Sequence, residues 1–323
     1  MVVEFVISSE GAQRVDHAVR VQFPEVSRRV VQTWFAQGLV KLDGKVVKKG
    51  VVAVGGQVCR VEVEPETLQP KPAAVSHLTV LLDTPQVVVV DKAAGVPSAA
   101  LAGAQHSCDS VATQLLALYP HMADVGYSPW DAGLIHRLDT NTSGVLVAAK
   151  TTEVFHRLTE RLRQGAIDKT YLAWANAIPP HPRGRVTTPL RSDPRHNKRM
   201  IADRTQERGM KACETTYEVL ATEGQYCLIR AKASVATRHQ VRAHLAEVGC
   251  PLVGDTLYRG LALPGLARHA LHAEWVSYPG DDVVEAFACS APVPPELAQL
   301  TPNAVEGLRQ HTVVAARAVT REH

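Results

Sequence analysis

The chain has 323 residues, 46% hydrophobic and 21% charged, a balance that excludes intrinsic disorder and provides for about two hydrophobic cores. Its 21 glycines and 20 prolines are scattered rather than periodic, which excludes a collagen-like or low-complexity chain. The net charge of +3 does not by itself select a partner, so the distribution of charge along the chain carries that argument.

The first residues, Met1-Val2-Val3-Glu4, lack the basic region of a secretory signal, and Glu10 interrupts any apolar core. Residues 12 to 64 read as a small module. Val15, Ala18 and Val19 mark one helix face that ends before Pro24, and Ser27 is a good N-cap for a second helix buried through Val30, Val31, Trp34 and Phe35. Gly38 stands where a C-terminal glycine closes such a helix. The run 39–47 then predicts a hairpin, because Asp43-Gly44 accepts the positive φ angles of a type I′ turn. A strand over 58–64 alternates Val61 and Val63 with Arg60, Glu62 and Glu64. Between 28 and 60 the basic residues Arg28, Arg29, Lys41, Lys45, Lys48, Lys49 and Arg60 face a single acid, Asp43. The ordered residues Arg14-Val15-Asp16, Pro24 to Arg28, Gly38-Leu39-Val40, Asp43-Gly44-Lys45 and Gly55-Gly56 resemble the S4 RNA-binding domain. The resemblance implies that this basic face meets an RNA backbone; a solvated lysine-rich hairpin is the plainer alternative.

Pro65 to Pro72 reads as a semi-rigid proline linker, giving expected limits of 1–65 for the module, 66–75 for the linker and 76–300 for a larger domain. In that domain Val87 to Val90 and Val145 to Ala149 are buried-strand runs, the longest of them far short of the roughly 20 apolar residues of a membrane span. Val154, Phe155, Leu158 and Leu162 form a helix stripe closed by Gly165, Thr170 to Ala175 alternates as a strand, and Val241, Leu245 and Val248 before Gly249 define another helix. Strands and helices mix without a βαβ rhythm, so the expected class is α+β with a mixed, largely antiparallel sheet. Residues 301–323 are a polar, Ala/Arg-rich tail.

The residues best suited to chemistry are His136-Arg137-Leu138-Asp139-Thr140-Asn141-Thr142-Ser143-Gly144, a polar loop before a strand. An aspartate there can act as nucleophile or base, or the loop can be a structural turn in which Asp and Thr bond their own backbone. The likeness to a kinase H-R-D-L loop fails, since Leu and Asp are exchanged and no glycine-rich phosphate loop or D-F-G accompanies it. None of the six cysteines forms a C-x-x-C pair, and the fourteen histidines hold no H-E-x-x-H. No metal and no cofactor is expected.

Five ordered blocks make this chain closely similar to the RluA-type family of pseudouridine synthases. They are His136 to Gly144 with Ala149-Lys150, Lys169 to Ala173, Asp193-Pro194-Arg195 with Lys198-Arg199-Met200, His239 to Leu245 with Gly249, Pro251 to Asp255 and Tyr258, and Leu271-His272-Ala273. The resemblance implies an isomerase that turns RNA uridine into pseudouridine, with Asp139 as the catalytic carboxylate. It further implies that Arg242 pairs with Asp139, and that Tyr171 stacks under the uracil and takes part in the proton step. Without that resemblance Tyr171 reads as a core residue, and Arg238 with Arg242 as a basic helix face. His136, Arg137, Arg199, Arg238, His239 and Gln240 are the expected substrate contacts, Arg137 filling the space of a flipped-out uridine. Nine basic residues between 183 and 211 against three acids suit an RNA backbone.

Two departures stand out. The family's Lys-Pro-Xaa-Gly is Lys92-Ala93-Ala94-Gly95 here, and Thr237 replaces an arginine two positions before His239. The expected protein is a cytoplasmic monomer that binds RNA, ribosomal or transfer, and no membrane. A non-catalytic RNA-binding or ribosome-assembly factor with the same fold is the alternative.

Overall fold

A computed structural model describes residues 1–8, 12–24, 26, 28–63, 70, 72–73, 75, 78–99, 109–203 and 213–308. They divide into two compact units, Met1–Ser76 with Ala99–Gly133, and His77–Ser98 with Leu134 onward. In the first unit, β1 (Val2–Val6), β2 (Gln13–Arg14), α1 (Val15–Gln22), α2 (Arg28–Ala36), β3 (Val40–Leu42), β4 (Lys45–Val46), β5 (Val52–Ala53) and β6 (Val58–Glu62) follow in order. An antiparallel sheet β1-β6-β3-β4 covers the two helices. The apolar stripes read from the sequence are the buried core, with Val15, Val19, Val30, Val31 and Trp34 against Val40 and Val61. The ring of Phe23 meets Trp34 edge-on at 5.1 Å. Asp43 and Gly44 adopt the positive φ values, 48° and 78°, that the hairpin requires. The expected cap Ser27 lies outside the described residues. In the same unit, α3 (Val111–Leu118) starts with a reciprocal cap between Ser110 and Thr113.

The second unit is built on one large sheet. Its elements are β7 (Leu78–Asp83), β8 (Val87–Lys92), β9 (Ser143–Ala149), α4 (Thr152–Arg163), β10 (Asp168–Ala175), β11 (Arg183–Val186), β12 (Leu190–Asp193), β13 (His196–Ala202), β14 (Thr215–Glu223), β15 (Tyr226–Lys232), α5 (Gln240–Glu247), β16 (Leu271–Tyr278), β17 (Phe287–Ser290) and α6 (Pro295–Ala298). Among the described residues nine strands pair in the order β11-β14-β15-β10-β16-β9-β8-β7, with β17 beside β16. The β9–β16 pairing is parallel and the others are antiparallel, which is the mixed α+β sheet expected. β12 and β13 form a separate hairpin.

The alternation read in Thr170 to Ala175 does not become alternating exposure, because β10 is central and every residue from Lys169 to Ala175 is buried. Leu172 and Trp174 pack on Leu297, Leu300 and Val305, and Trp174 Nε1 donates to Thr301 Oγ1 at 2.8 Å. Residues 302–308 are helical, so the chain just past 301 belongs to this core.

At the β9–β16 crossing, Gly144 lies opposite Ala273 with φ +116°, and a Cβ there would stand 2.1 Å from the Ala273 carbonyl oxygen. Gly249, which closes α5 at φ +84°, faces open space. Gly144→Ala is therefore expected to lower the unfolding free energy by about 3 kcal/mol or more, and Gly249→Ala by about 1 kcal/mol, read from denaturant midpoints. Lys169 is a second point of tension. It is buried, its Nζ forms no hydrogen bond or ion pair among the described residues, and burial pushes its ammonium down to about 8. Between pH 8 and the usual lysine value near 10.5 the unfolded chain holds a proton that the folded chain lacks, so stability rises with pH in that window. Lys169→Met should raise stability at pH 7 by about 2 kcal/mol and flatten that rise.

Candidate active site

Asp139 sits on the loop before β9, held from both sides. On one side the ammonium of the fully buried Lys92 donates to the carbonyls of Ala93 (2.9 Å), Val96 (2.8 Å) and Thr140 (2.8 Å). The Gly95 N–H also donates to Thr140, and Ser98 Oγ bonds both the N–H and the carbonyl of Leu138. Only a carbonyl of residue 93 is used, which any residue supplies, so alanine in place of the family's proline leaves this clamp intact. On the other side His269 Nε2 meets Thr142 Oγ1 at 2.7 Å and His272 Nδ1 meets Ser143 Oγ at 2.9 Å. Burial, then the nearby Arg242 and Arg268, drives His269 down to about 2, so it is a neutral partner in this loop.

Arg242 comes to Asp139 from α5, whose residues 240–245 are all buried. Its Nη1 donates to Asp139 Oδ2 at 2.7 Å, while Nε and Nη2 donate to the two oxygens of Asp255 at 2.7 and 2.8 Å. The Arg242 side chain is 8% exposed, and its guanidinium carbon also stands 5.2 Å from the centre of the Tyr258 ring. Burial alone would depress it, but the hydrogen bond and charge of Asp255, and then of Asp139, raise it. His239, with left-handed φ 57° at the start of α5, places Nε2 3.8 Å from the same Asp139 oxygen. Its Nδ1 lies 3.1 Å from Tyr258 Oη, which accepts the Met200 N–H. Accepting that bond leaves the phenol proton free for Nδ1, so the tautomer consistent with this network carries its proton on Nε2, towards Asp139. Burial, partly offset by Asp139, lowers His239 below the usual imidazole value.

Tyr171, on β10 opposite Ala231 and Ala273, is buried, and burial followed by the negative charge of Asp139 pushes its phenol up. It is a neutral phenol beside the carboxylate, presenting a ring rather than a ready base. Lys169 shares its strand face two residues away.

The remaining sequence expectations divide. Arg137 is exposed and its side chain forms no hydrogen bond among the described residues. Arg238 is exposed, with Nη2 on Met200 Sδ. Two other expected RNA contacts bond groups of the chain itself. Gln240 accepts the Thr237 N–H and donates to the Glu214 carbonyl and Thr215 Oγ1, which ties the start of α5 to the chain before it and to β14. His136 Nε2 accepts the Val147 N–H, and burial drives this ring well below its usual value. Arg199 is paired with Asp193, and Lys41 with Glu62 at 2.8 Å. Arg28, Lys45, Lys48 and Lys49 are exposed, while the side chain of Arg29 and residues 204–212 lie outside the described residues. Among the described residues no group of three or more His, Cys, Asp or Glu side chains could hold a metal. No helix there is long and apolar enough to cross a membrane.

Sequence reasoning passed over Lys92, Asp255, Tyr258 and His269 as site residues. Asp255 and Tyr258 carried a signal, standing within the motif blocks, and Lys92 opens the Lys-Ala-Ala-Gly run that departs from the family's, whereas nothing in the sequence marked His269.

The model of the RNA pseudouridylate synthase family matches residues 86–247, half of the chain. The ribosomal large subunit pseudouridine synthase D of Xanthomonas campestris pv. campestris is 31% identical, over 97% of this chain and 94% of that protein. The protein of the same name from Neisseria meningitidis serogroup A is 30% identical, over 89% of this chain and 77% of its own length. Among solved structures, human RNA pseudouridylate synthase domain containing 4 shares the fold with a TM-score of 0.54 at 22% identity, over 70% of this chain and 92% of that one. With the motif blocks gathered around Asp139 and the match running through them, the chain belongs to the RNA pseudouridylate synthase family.

Proposed function

We propose that this chain isomerises uridine to pseudouridine in large-subunit ribosomal RNA, with Asp139 as the catalytic carboxylate. The reaction breaks the C1′–N1 bond and forms C1′–C5, while C5 loses a proton and N1 gains one. Nothing is oxidised and nothing is hydrolysed overall. The observation that carries the reading is the 2.7 Å contact of Arg242 with Asp139, which leaves the other carboxylate oxygen without a hydrogen bond among the described residues. That oxygen can attack C1′ or C6, or take a ribose proton to give a glycal. The Tyr171 ring offers a stacking surface for the uracil, and the exposed Arg137 can fill the space the nucleotide leaves when it swings out of its helix. The large-subunit target is supported by what the two bacterial relatives are named for.

The expected module at 1–65 and linker at 66–75 belong to the same proposal, in which that module is an S4-like RNA binder on a cytoplasmic, monomeric enzyme. Its support is the exposed set Arg28, Lys45, Lys48 and Lys49. Lys41, held by Glu62, serves the sheet instead.

Incubation with ribosomal RNA carrying tritium at uridine C5 tests the chemistry. The wild-type chain should release tritium, and Asp139→Asn should lower the rate by at least about 1,000-fold while RNA affinity stays within about threefold. Tritium release at the wild-type rate by that variant would remove Asp139 from its role. Combined Lys45→Glu, Lys48→Glu and Lys49→Glu should weaken RNA binding and reduce the slope of log affinity against log salt by about 2 to 3. An unchanged slope would place the RNA elsewhere.

A further inference from the structure

The guanidinium of Arg242 serves two carboxylates at once, and the two are treated differently. Asp255 receives the paired donors Nε and Nη2, one to each oxygen, whereas Asp139 receives Nη1 on Oδ2 alone. His239 Nε2 also faces Oδ2, at 3.8 Å. Oδ1 of Asp139 therefore has no donor among the described residues. This asymmetry has a chemical consequence. A planar guanidinium favours a two-pronged pair with a carboxylate, and such a pair with Asp139 would cover both oxygens and blunt the group that must react. We propose that Asp255 is a positioning residue for the isomerisation: by occupying the Nε–Nη2 edge of Arg242 it limits that side chain to one hydrogen bond with Asp139 and keeps Oδ1 open to the nucleotide. The proposal rests on Asp139 acting as proposed above.

Asp255 is built for a fixed orientation. Its side chain is 2% exposed. Its N–H donates to the Leu252 carbonyl, and its own carbonyl accepts the N–H groups of Tyr258 and Gly260. The turn is too tight to rearrange, since a Cβ on Gly254 would lie 2.1 Å from the Arg268 carbonyl oxygen and one on Gly260 1.8 Å from that of Leu252. The Tyr258 ring closes another side of the guanidinium. The loop of Asp139 is held, but among the described residues its carboxylate accepts a hydrogen bond from Arg242 alone, so removing the Asp255 charge frees Arg242 to turn its paired donors towards Asp139.

Steady-state tritium release from uridine-labelled ribosomal RNA by the full chain tests this. Asp255→Asn should lower kcat about 100-fold with KM within about twofold, and Asp255→Glu, which keeps the charge but shifts it, about tenfold. The decisive comparison uses Arg242→Lys, which has no paired donors to redirect: adding Asp255→Asn to it should cost no further kcat. A kcat for Asp255→Asn within threefold of wild type, or losses that multiply in the Arg242→Lys background, overturns the proposal. Should Asp255→Asn fail to fold, Asp255→Glu decides, a tenfold loss of kcat at unchanged KM supporting the role and wild-type kcat refuting it. A wild-type chain that releases no tritium would instead defeat the functional reading, and this proposal with it.

Discussion

A single guanidinium organises the second unit. Arg242 is almost wholly buried, and a buried cation is tolerable only when its donors are met. Asp255 and Asp139 meet them, one as a fixed two-pronged partner and the other through a single oxygen. The requirement to satisfy that charge draws α5 and the turn after it to the loop before β9, 103 residues away along the chain. Much of the surrounding architecture follows from holding these three segments in register.

The loop that carries Asp139 has no regular structure of its own, so its precision is borrowed. Lys92 supplies three donors to carbonyls on both sides of the gap between β8 and the loop, and His269, just before β16, and His272, within it, hold the loop's far end. These supports rest on the central strands, where packing is dense on both faces and side-chain freedom is least. Gly144 makes the arrangement possible, because β9 and β16 approach there more closely than any side chain permits. Strain is concentrated near the same place: His239 is a non-glycine residue in the left-handed region, beside the carboxylate it faces.

Much of this was legible in the chain itself. The helices at 15–22, 28–36, 152–163 and 240–247 follow apolar spacing and a closing proline or glycine, and the 43–44 turn follows from a dipeptide that tolerates positive φ. Local patterns determine local structure, so these were readable. The strand read at 170–175 is there as β10, but its central position in the sheet, which buries both faces, is not written in local alternation. Spacing also says nothing of the bonds that Gln240 and His136, polar residues in the motif blocks, make to the backbone around them.

The sequence by itself determined the class of fold, the family and the loop that bears the candidate carboxylate, because those are written in periodicity and in ordered motifs. Which donors reach which oxygen was decided only by the tertiary structure. Arg242 stands 13 residues from Asp255 and 103 from Asp139, and a hydrogen bond depends on tenths of an ångström and on direction. Spacing along a chain conveys neither, so the division of one guanidinium between two carboxylates becomes visible only once the sheet has brought them face to face.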